Sequence, residues 1–193
     1  VKGIEENSLI DDPWNALLQQ GVFRALMSAF AFPGSIEHIC EDTDKGGTSL
    51  QMVLAALADE LVTVADVHHL ISESDWQKYE SLQVNSDKAQ FVVSSGREEP
   101  LIEPCLGSLE NPEEGATLII CIDELGKGMD LALSGPGVKG QRHLAVSGLH
   151  RRWLERREEW NSAFPMGVDM ILVDSTQVAA LPRTTTVRAE RII

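Results

Sequence analysis

The chain has 193 residues, is 43% hydrophobic and 24% charged, and carries 16 Lys+Arg against 30 Asp+Glu, a formal net charge of −14. That length fits one domain, or two small ones at most, and is enough to bury a core; the apolar fraction excludes a disordered chain. The acidic balance excludes a protein that coats nucleic acid or docks electrostatically on an anionic membrane.

In chain order, the opening residues VKGIEENSLIDD show no basic stretch followed by an apolar run, so no signal peptide is expected. Trp14, Leu17, Leu18, Val22, Phe23, Leu26, Met27 and Phe30 recur at three- and four-residue spacing. They predict a helix over 14–31 whose apolar face docks on the core. Asp12 is placed to cap it, Pro13 to occupy its first turn, and Pro33-Gly34 to stop it. A short strand over 35–40, a polar turn over 41–47 and a second helix over 48–60 follow. Then come a strand at 63–67, a third helix at 73–82 and a strand at 90–94. The irregular stretch 95–115, with Pro100, Pro104 and Pro112, is long for a compact domain and is expected to pack as an arm or lid. ATLIICI (116–122) reads as a strand covered on both faces. Leu125–Gly128 reads as a turn, and Met129–Leu133 as a strand pairing back on ATLIICI in a hairpin. Residues 149–160 read as a helix with Leu149, Trp153, Leu154 and Trp160 inward and an arginine-rich outer face. Strands at 168–173 and 178–181 complete an α/β sheet of mixed direction layered by helices.

The short motifs carry limited chemistry. Gly135-Pro136-Gly137-Val138-Lys139-Gly140 satisfies GxGxxG, but Gln141-Arg142-His143 opens no apolar helix, so a tight turn is expected rather than a dinucleotide site. His68-His69, His143 and His150 lack metal-ligand spacing, and Cys40, Cys105 and Cys121 form no CxxC pair, so no metal is expected. Unpaired cysteines of this kind suit a reducing cytoplasm. Arg151, Arg152, Arg156 and Arg157 interleave with Glu155, Glu158 and Glu159 as a solvated helix face.

Leu181–Arg188 combines two guanidinium groups with three hydroxyls after a strand, a set that suits phosphate or phosphonate oxygens. Alternation would place Arg183, Thr185 and Val187 on one face; an ordinary edge strand is the competing reading. Asp169, in the turn Phe164–Asp169, is expected to tie that turn through backbone amides.

Taken together and in order, several motifs resemble one family. These are Phe23-Arg24-Ala25-Leu26-Met27-Ser28-Ala29-Phe30 closing on Pro33-Gly34, Leu57-Ala58-Asp59, and Pro112-Glu113-Glu114-Gly115-Ala116-Thr117-Leu118. Leu133-Ser134-Gly135-Pro136-Gly137, Phe164-Pro165-Met166-Gly167-Val168-Asp169 and Pro182-Arg183-Thr184-Thr185 complete the set. They look like the signatures of the PhnH-type subunit of the bacterial carbon–phosphorus lyase core complex, from about residue 12 onward. The match is weakest between about Ala65 and Leu109.

The resemblance implies a subunit needed to convert MgATP and an alkylphosphonate to a ribose 1-alkylphosphonate 5-triphosphate with release of adenine. It implies a fold similar to pyridoxal-phosphate-dependent transferases but without that cofactor; none of the six lysines has a recognisable Schiff-base context. It also implies the other core subunits as partners, a homodimer when alone, and a cytoplasmic location. Substrate or interface candidates are Arg24, Asp59, Gly135, Gly137, Asp169, Arg183, Thr184 and Thr185. The rivals are a stand-alone enzyme or binding protein for a phosphorylated small molecule, working through Arg183, Thr185 and Asp169, and a pyridoxal-phosphate enzyme, which fold likeness alone does not license.

The acid is uneven: residues 1–100 hold 6 basic and 17 acidic side chains, and residues 101–193 hold 10 and 13. The halves thus carry −11 and −3, which makes the second half the better host for an anion.

Overall fold

The computed structural model describes residues 13–40 and 48–189. Its order is α1 (Ala16–Ala31), β1 (Glu37–His38), α2 (Ser49–Leu57), β2 (Thr63–Asp66), α3 (Glu73–Tyr79), β3 (Leu82–Gln83) and β4 (Phe91–Ser95). A 3-10 turn at Pro112–Glu114 then precedes β5 (Thr117–Cys121), β6 (Glu124–Ser134), β7 (Arg142–Ser147), α4 (Arg152–Trp160), β8 (Asp169–Val173), β9 (Gln177–Leu181) and β10 (Thr186–Ala189).

Seven strands form one mixed sheet in the order β1-β9-β8-β5-β4-β2-β3. Its centre is parallel: Phe91 pairs with Thr117, and Thr117 with Asp169. At one edge β9 is antiparallel to β8, and β1 is antiparallel to β9. The central strands are fully covered because their side chains are apolar on both faces, as a parallel sheet layered by other elements requires. On one face Ile119, Ile171, Val93 and Val178 meet α1 and α2 through Val22, Leu26, Met52 and Val53. On the other, Leu118, Ile120, Met170 and Leu172 meet Trp153, Trp160 and the second sheet.

That second sheet is three-stranded and antiparallel, β10-β6-β7. It corrects the expected hairpin between 116–122 and 129–133: β6 leaves the main sheet and pairs with β7 and β10. The physical reason is the glycine pair inside the expected turn. Gly126 and Gly128 take φ of +85° and +95°, and the register shifts between Leu125 and Met129, so the chain bulges and continues as one long strand. Residues 142–147, to which the sequence reading assigned no strand, supply its partner.

Side-chain caps explain the starts of α1, α2 and α3. Asn15, not Asp12 (which lies outside the described residues), caps α1, its Oδ1 accepting from the amides of Leu17 and Leu18. Thr48 and Gln51 close a capping box on α2. The turn expected at 41–47 also lies outside the described residues. The arm 95–115 is irregular, as expected, and packs across the Trp153 side: Trp153 Nε1 donates to the Glu98 carbonyl, and Ile102 is buried in that core.

The expected single core face of α1 is also corrected. Val22, Leu26 and Ala29 are buried, but Leu17 is 80% exposed, Phe23 48%, Met27 58% and Phe32, just past the helix, 55%. A sheet one helix-width away can cover only part of a helix's circumference, so Leu17, Phe23 and Met27, three of the eight residues of the apolar set, face outward.

Candidate functional site

The motif residues, far apart in sequence, converge on two adjoining junctions. The first is built around Arg183. After β9, Pro182–Thr185 turns, with the Thr185 amide donating to the Pro182 carbonyl. This replaces the expected alternation, because Arg183 and Thr185 sit in the turn and β10 begins only at Thr186. The Arg183 amide donates to Asp169 Oδ1 at 2.7 Å, and its Nη2 and Nε donate to Oδ2 at 2.7 and 3.1 Å. Its Nη1 donates to the Pro112 carbonyl at 2.7 Å and to that of Pro165 at 3.3 Å. Gly115 is needed there because a Cβ would meet the Gly167 carbonyl and Arg183 Nη1. One guanidinium therefore ties together the motifs at 112–118, 164–169 and 182–185. Its donors are spent on the chain's own oxygens, as is the carboxylate of Asp169; that leaves no fork for a phosphonate. The turn before β8 is held by Asn161, whose Oδ1 accepts the Val168 amide at 2.7 Å, rather than by Asp169.

The second junction joins the C-terminal end of α1 to the tip of the β6–β7 hairpin. Gly137 has φ of +79°, and a Cβ on it would run into the Ala31 carbonyl and Pro33. Gly135, at φ +129°, lies against the Thr184 carbonyl, 2.8 Å from where its Cβ would be. The stretch 135–140 is thus a connection between antiparallel strands, as the tight-turn reading expects, and its glycines serve close backbone approach. Arg142 Nη1 donates to the Phe32 carbonyl at 3.2 Å, a contact the motif reading did not single out. Thr184 is exposed beside this junction, whereas Thr185 is 2% exposed and its Oγ1 has no hydrogen-bond partner.

The remaining candidates lie elsewhere. Arg24 is exposed on α1, between Phe23 and Met27, and has no partner among the described residues. Asp59 follows α2, its Oδ1 accepting the Leu61 amide at 2.9 Å. Arg157, read as part of the solvated arginine face, is buried instead. It donates to the carbonyls of Leu181 and Pro182, and burial pulls its pKa down to about 10. That places a second guanidinium behind the Arg183 turn.

Histidines are dispersed. His68 Nδ1 accepts the Ser95 amide at 3.2 Å and lies 3.0 Å from Ser94 Oγ, while His143 Nδ1 is 2.8 Å from Asp130. Among the described residues no group of three or more His, Cys, Asp or Glu side chains is placed to hold a metal. No helix among them is long and apolar enough to cross a membrane.

Comparison with known proteins agrees with the motif set. The family model described as bacterial phosphonate metabolism protein (PhnH) matches residues 12–188. The chain is 40% identical over 172 residues to a putative C-P lyase subunit protein, HtxG, of Stutzerimonas stutzeri, covering 89% of this chain and 87% of that protein. It is 29% identical over 182 residues to the alpha-D-ribose 1-methylphosphonate 5-triphosphate synthase subunit PhnH of Rhizobium meliloti (strain 1021), covering 89% and 90%.

Proposed function

The chain belongs to the bacterial phosphonate metabolism (PhnH) family, and on that premise we propose that it is a subunit of a carbon–phosphorus lyase core complex. There it serves the conversion of MgATP and an alkylphosphonate to a ribose 1-alkylphosphonate 5-triphosphate with release of adenine. The observation that carries this reading is the continuous family match over residues 12–188, together with relatives that are themselves named as subunits.

The geometry favours a supporting over a self-sufficient catalytic role. The best anion-binding candidate of the sequence, Arg183 with Asp169, is consumed as a structural clamp. What the opening motif displays outward is an apolar stripe. Phe23, Met27 and Phe32 flank Arg24, which lacks a carboxylate among the described residues. A hydrophobic patch with one central guanidinium suits a protein partner bringing an apolar surface and an acidic side chain. We assign this stripe to another core subunit.

The finer expectations belong to the same reading: one domain over 1–193, a cytoplasmic location, a homodimer when alone, and a likeness to the pyridoxal-phosphate-dependent transferase fold without its cofactor. Co-expression with the other core subunits tests it. The chain is expected to co-purify in one assembly that turns over MgATP and methylphosphonate, and to be inactive by itself. A chain that stays alone in the presence of every core subunit overturns the proposal, and turnover by the isolated chain replaces it with a stand-alone enzyme.

A further inference from the structure

In the main sheet β2 has parallel neighbours on both sides, β3 and β4. The chain leaves β2 over the face that carries α1 and α2, where Ile71 and Tyr79 are buried. It leaves β3 over the opposite face, where Val84 and Ala89 pack into the core of Trp153. β2 and β3 are thus adjacent parallel strands whose outgoing connections part to opposite faces. Such a switch opens a crevice outside the carboxyl ends of the two strands, and open α/β sheets bind their ligands in crevices of this kind.

A cleft of about 430 Å³ lies at that place, lined by residues 65–67 at the end of β2, 83–86 at the end of β3, and Leu101 and Ile102 of the arm. The volume suits a small organic ligand. Its walls are apolar, and Leu101 stands on them 87% exposed. Facing them are the carboxamides of Gln83 and Asn85 and the hydroxyl of Ser86, side chains without a hydrogen-bond partner among the described residues. Asp66 is the one charged residue of the lining, and both its oxygens already accept amides, from Leu70 at 3.0 Å and Ile71 at 2.8 Å. No cation lines the cleft, so it offers nothing to a phosphonate or a polyphosphate. The lining falls wholly within the stretch where the motif resemblance is weakest, so none of it is carried over from the family.

We propose that this cleft binds a neutral, flat heterocycle of the purine class between its apolar walls and the carboxamides of Gln83 and Asn85. A carboxamide donates and accepts side by side, which complements the neighbouring amine and ring nitrogen on one edge of adenine. The apolar walls take the ring faces out of water. Two sources share the chemistry: a free base, and the base of a nucleoside or nucleotide whose sugar and phosphates stay outside. The assignment is independent of the subunit reading.

Titration of the full chain with adenine, adenosine and MgATP, each alone, tests the site on the side-chain amide 1H–15N resonances of Gln83 and Asn85. Adenine is expected to give a saturable shift, and methylphosphonate none. Adenine stronger than MgATP by about tenfold or more assigns the free base; MgATP equal or stronger assigns the base of a nucleotide. Benzimidazole, two fused rings without the amine, should bind about tenfold more weakly than adenine, the loss that one unmade hydrogen bond gives. Asn85→Ala and Gln83→Ala should each weaken adenine by about tenfold and melt as the parent does, since both side chains are exposed and unpaired. Leu101→Asp, equally exposed, should weaken it by removing an apolar wall. No saturable shift with any of the three purines, benzimidazole as strong as adenine, or undiminished binding by all three variants overturns the purine site. Each of these results leaves the subunit proposal standing, because co-purification with the other core subunits is read separately.

Discussion

Arg183 shows how a side chain chosen for its chemistry can turn out to be a fastener. Its fork reaches Asp169, Pro112 and Pro165, with a side-chain exposure of 14% against 21% for Asp169. Removing the carboxylate leaves a largely buried guanidinium short of its partner, which typically costs about 3 kcal/mol. Asp169→Asn is therefore expected to lower the denaturation midpoint strongly, and Arg183→Lys to do likewise, since an ammonium cannot reproduce the planar fork. Normal stability in both variants would contradict the clamp.

A second residue-scale expectation concerns Cys121. Burial, reinforced by the charge of Asp66, raises its thiol pKa from 9.0 to about 11. In the unfolded chain the thiol ionises at the lower value and in the native protein at the higher one. The native state thus binds more protons between them, and stability falls as pH rises from about 9 toward 11. At pH 8 iodoacetamide should alkylate Cys121 more slowly than a cysteine in an unstructured peptide, and Cys121→Ser should blunt the alkaline loss of stability, checked by melts across that range. None of this was legible in the sequence, where Cys121 is one of three cysteines without a CxxC partner. Spacing can say that Arg183 and Asp169 are 14 positions apart, but not that a turn returns one onto the other.

At the level of elements, local signals and long-range ones fared differently. Thr48 and Gln51 announce the start of α2 within four residues, and the apolar run 116–122 announces a covered strand. The partner of β6 was not announced, because two left-handed glycines decide whether the chain folds back or runs on, and residues 142–147 alternate too weakly to be recognised alone. The outward stripe of α1 was hidden for a related reason. Three- and four-residue spacing records how much of a helix is apolar, not how much of that surface a single sheet covers. Phe23→Ser with Met27→Ser should leave melting within about 0.5 kcal/mol of the parent, as exposed substitutions do, while abolishing co-purification with the other core subunits. Loss of the fold, or retention of the partners, would reassign the stripe.

For the molecule as a whole, charge asymmetry remains informative after the fold is known. The acidic first half holds a shallow cleft lined by Trp14 and Tyr79 with Asp59, Glu60 and Glu80 on it, and the less acidic second half holds the Arg183 junction. The two halves are interlocked rather than successive. β1, from the first, closes the sheet against β9, from the second, and His38 lies 2.8 Å from Gln177, 139 positions away. Removing everything from residue 176 onward should therefore do more than trim an edge. It is expected to abolish the cooperative melt, whereas a single domain built in order along the chain would keep most of it.

That interlock also bears on how the protein is made. During synthesis α1 emerges early, yet the strand it packs beside, β9, is among the last parts of the fold to be translated. Until then both apolar stripes of α1 are open to water, the one that packs on the sheet and the one that stays exposed. Long-range closure of this kind slows folding and lengthens the life of sticky intermediates. Nascent chains should consequently lean on chaperones, and the yield of soluble protein should rise when a binding subunit is translated alongside it.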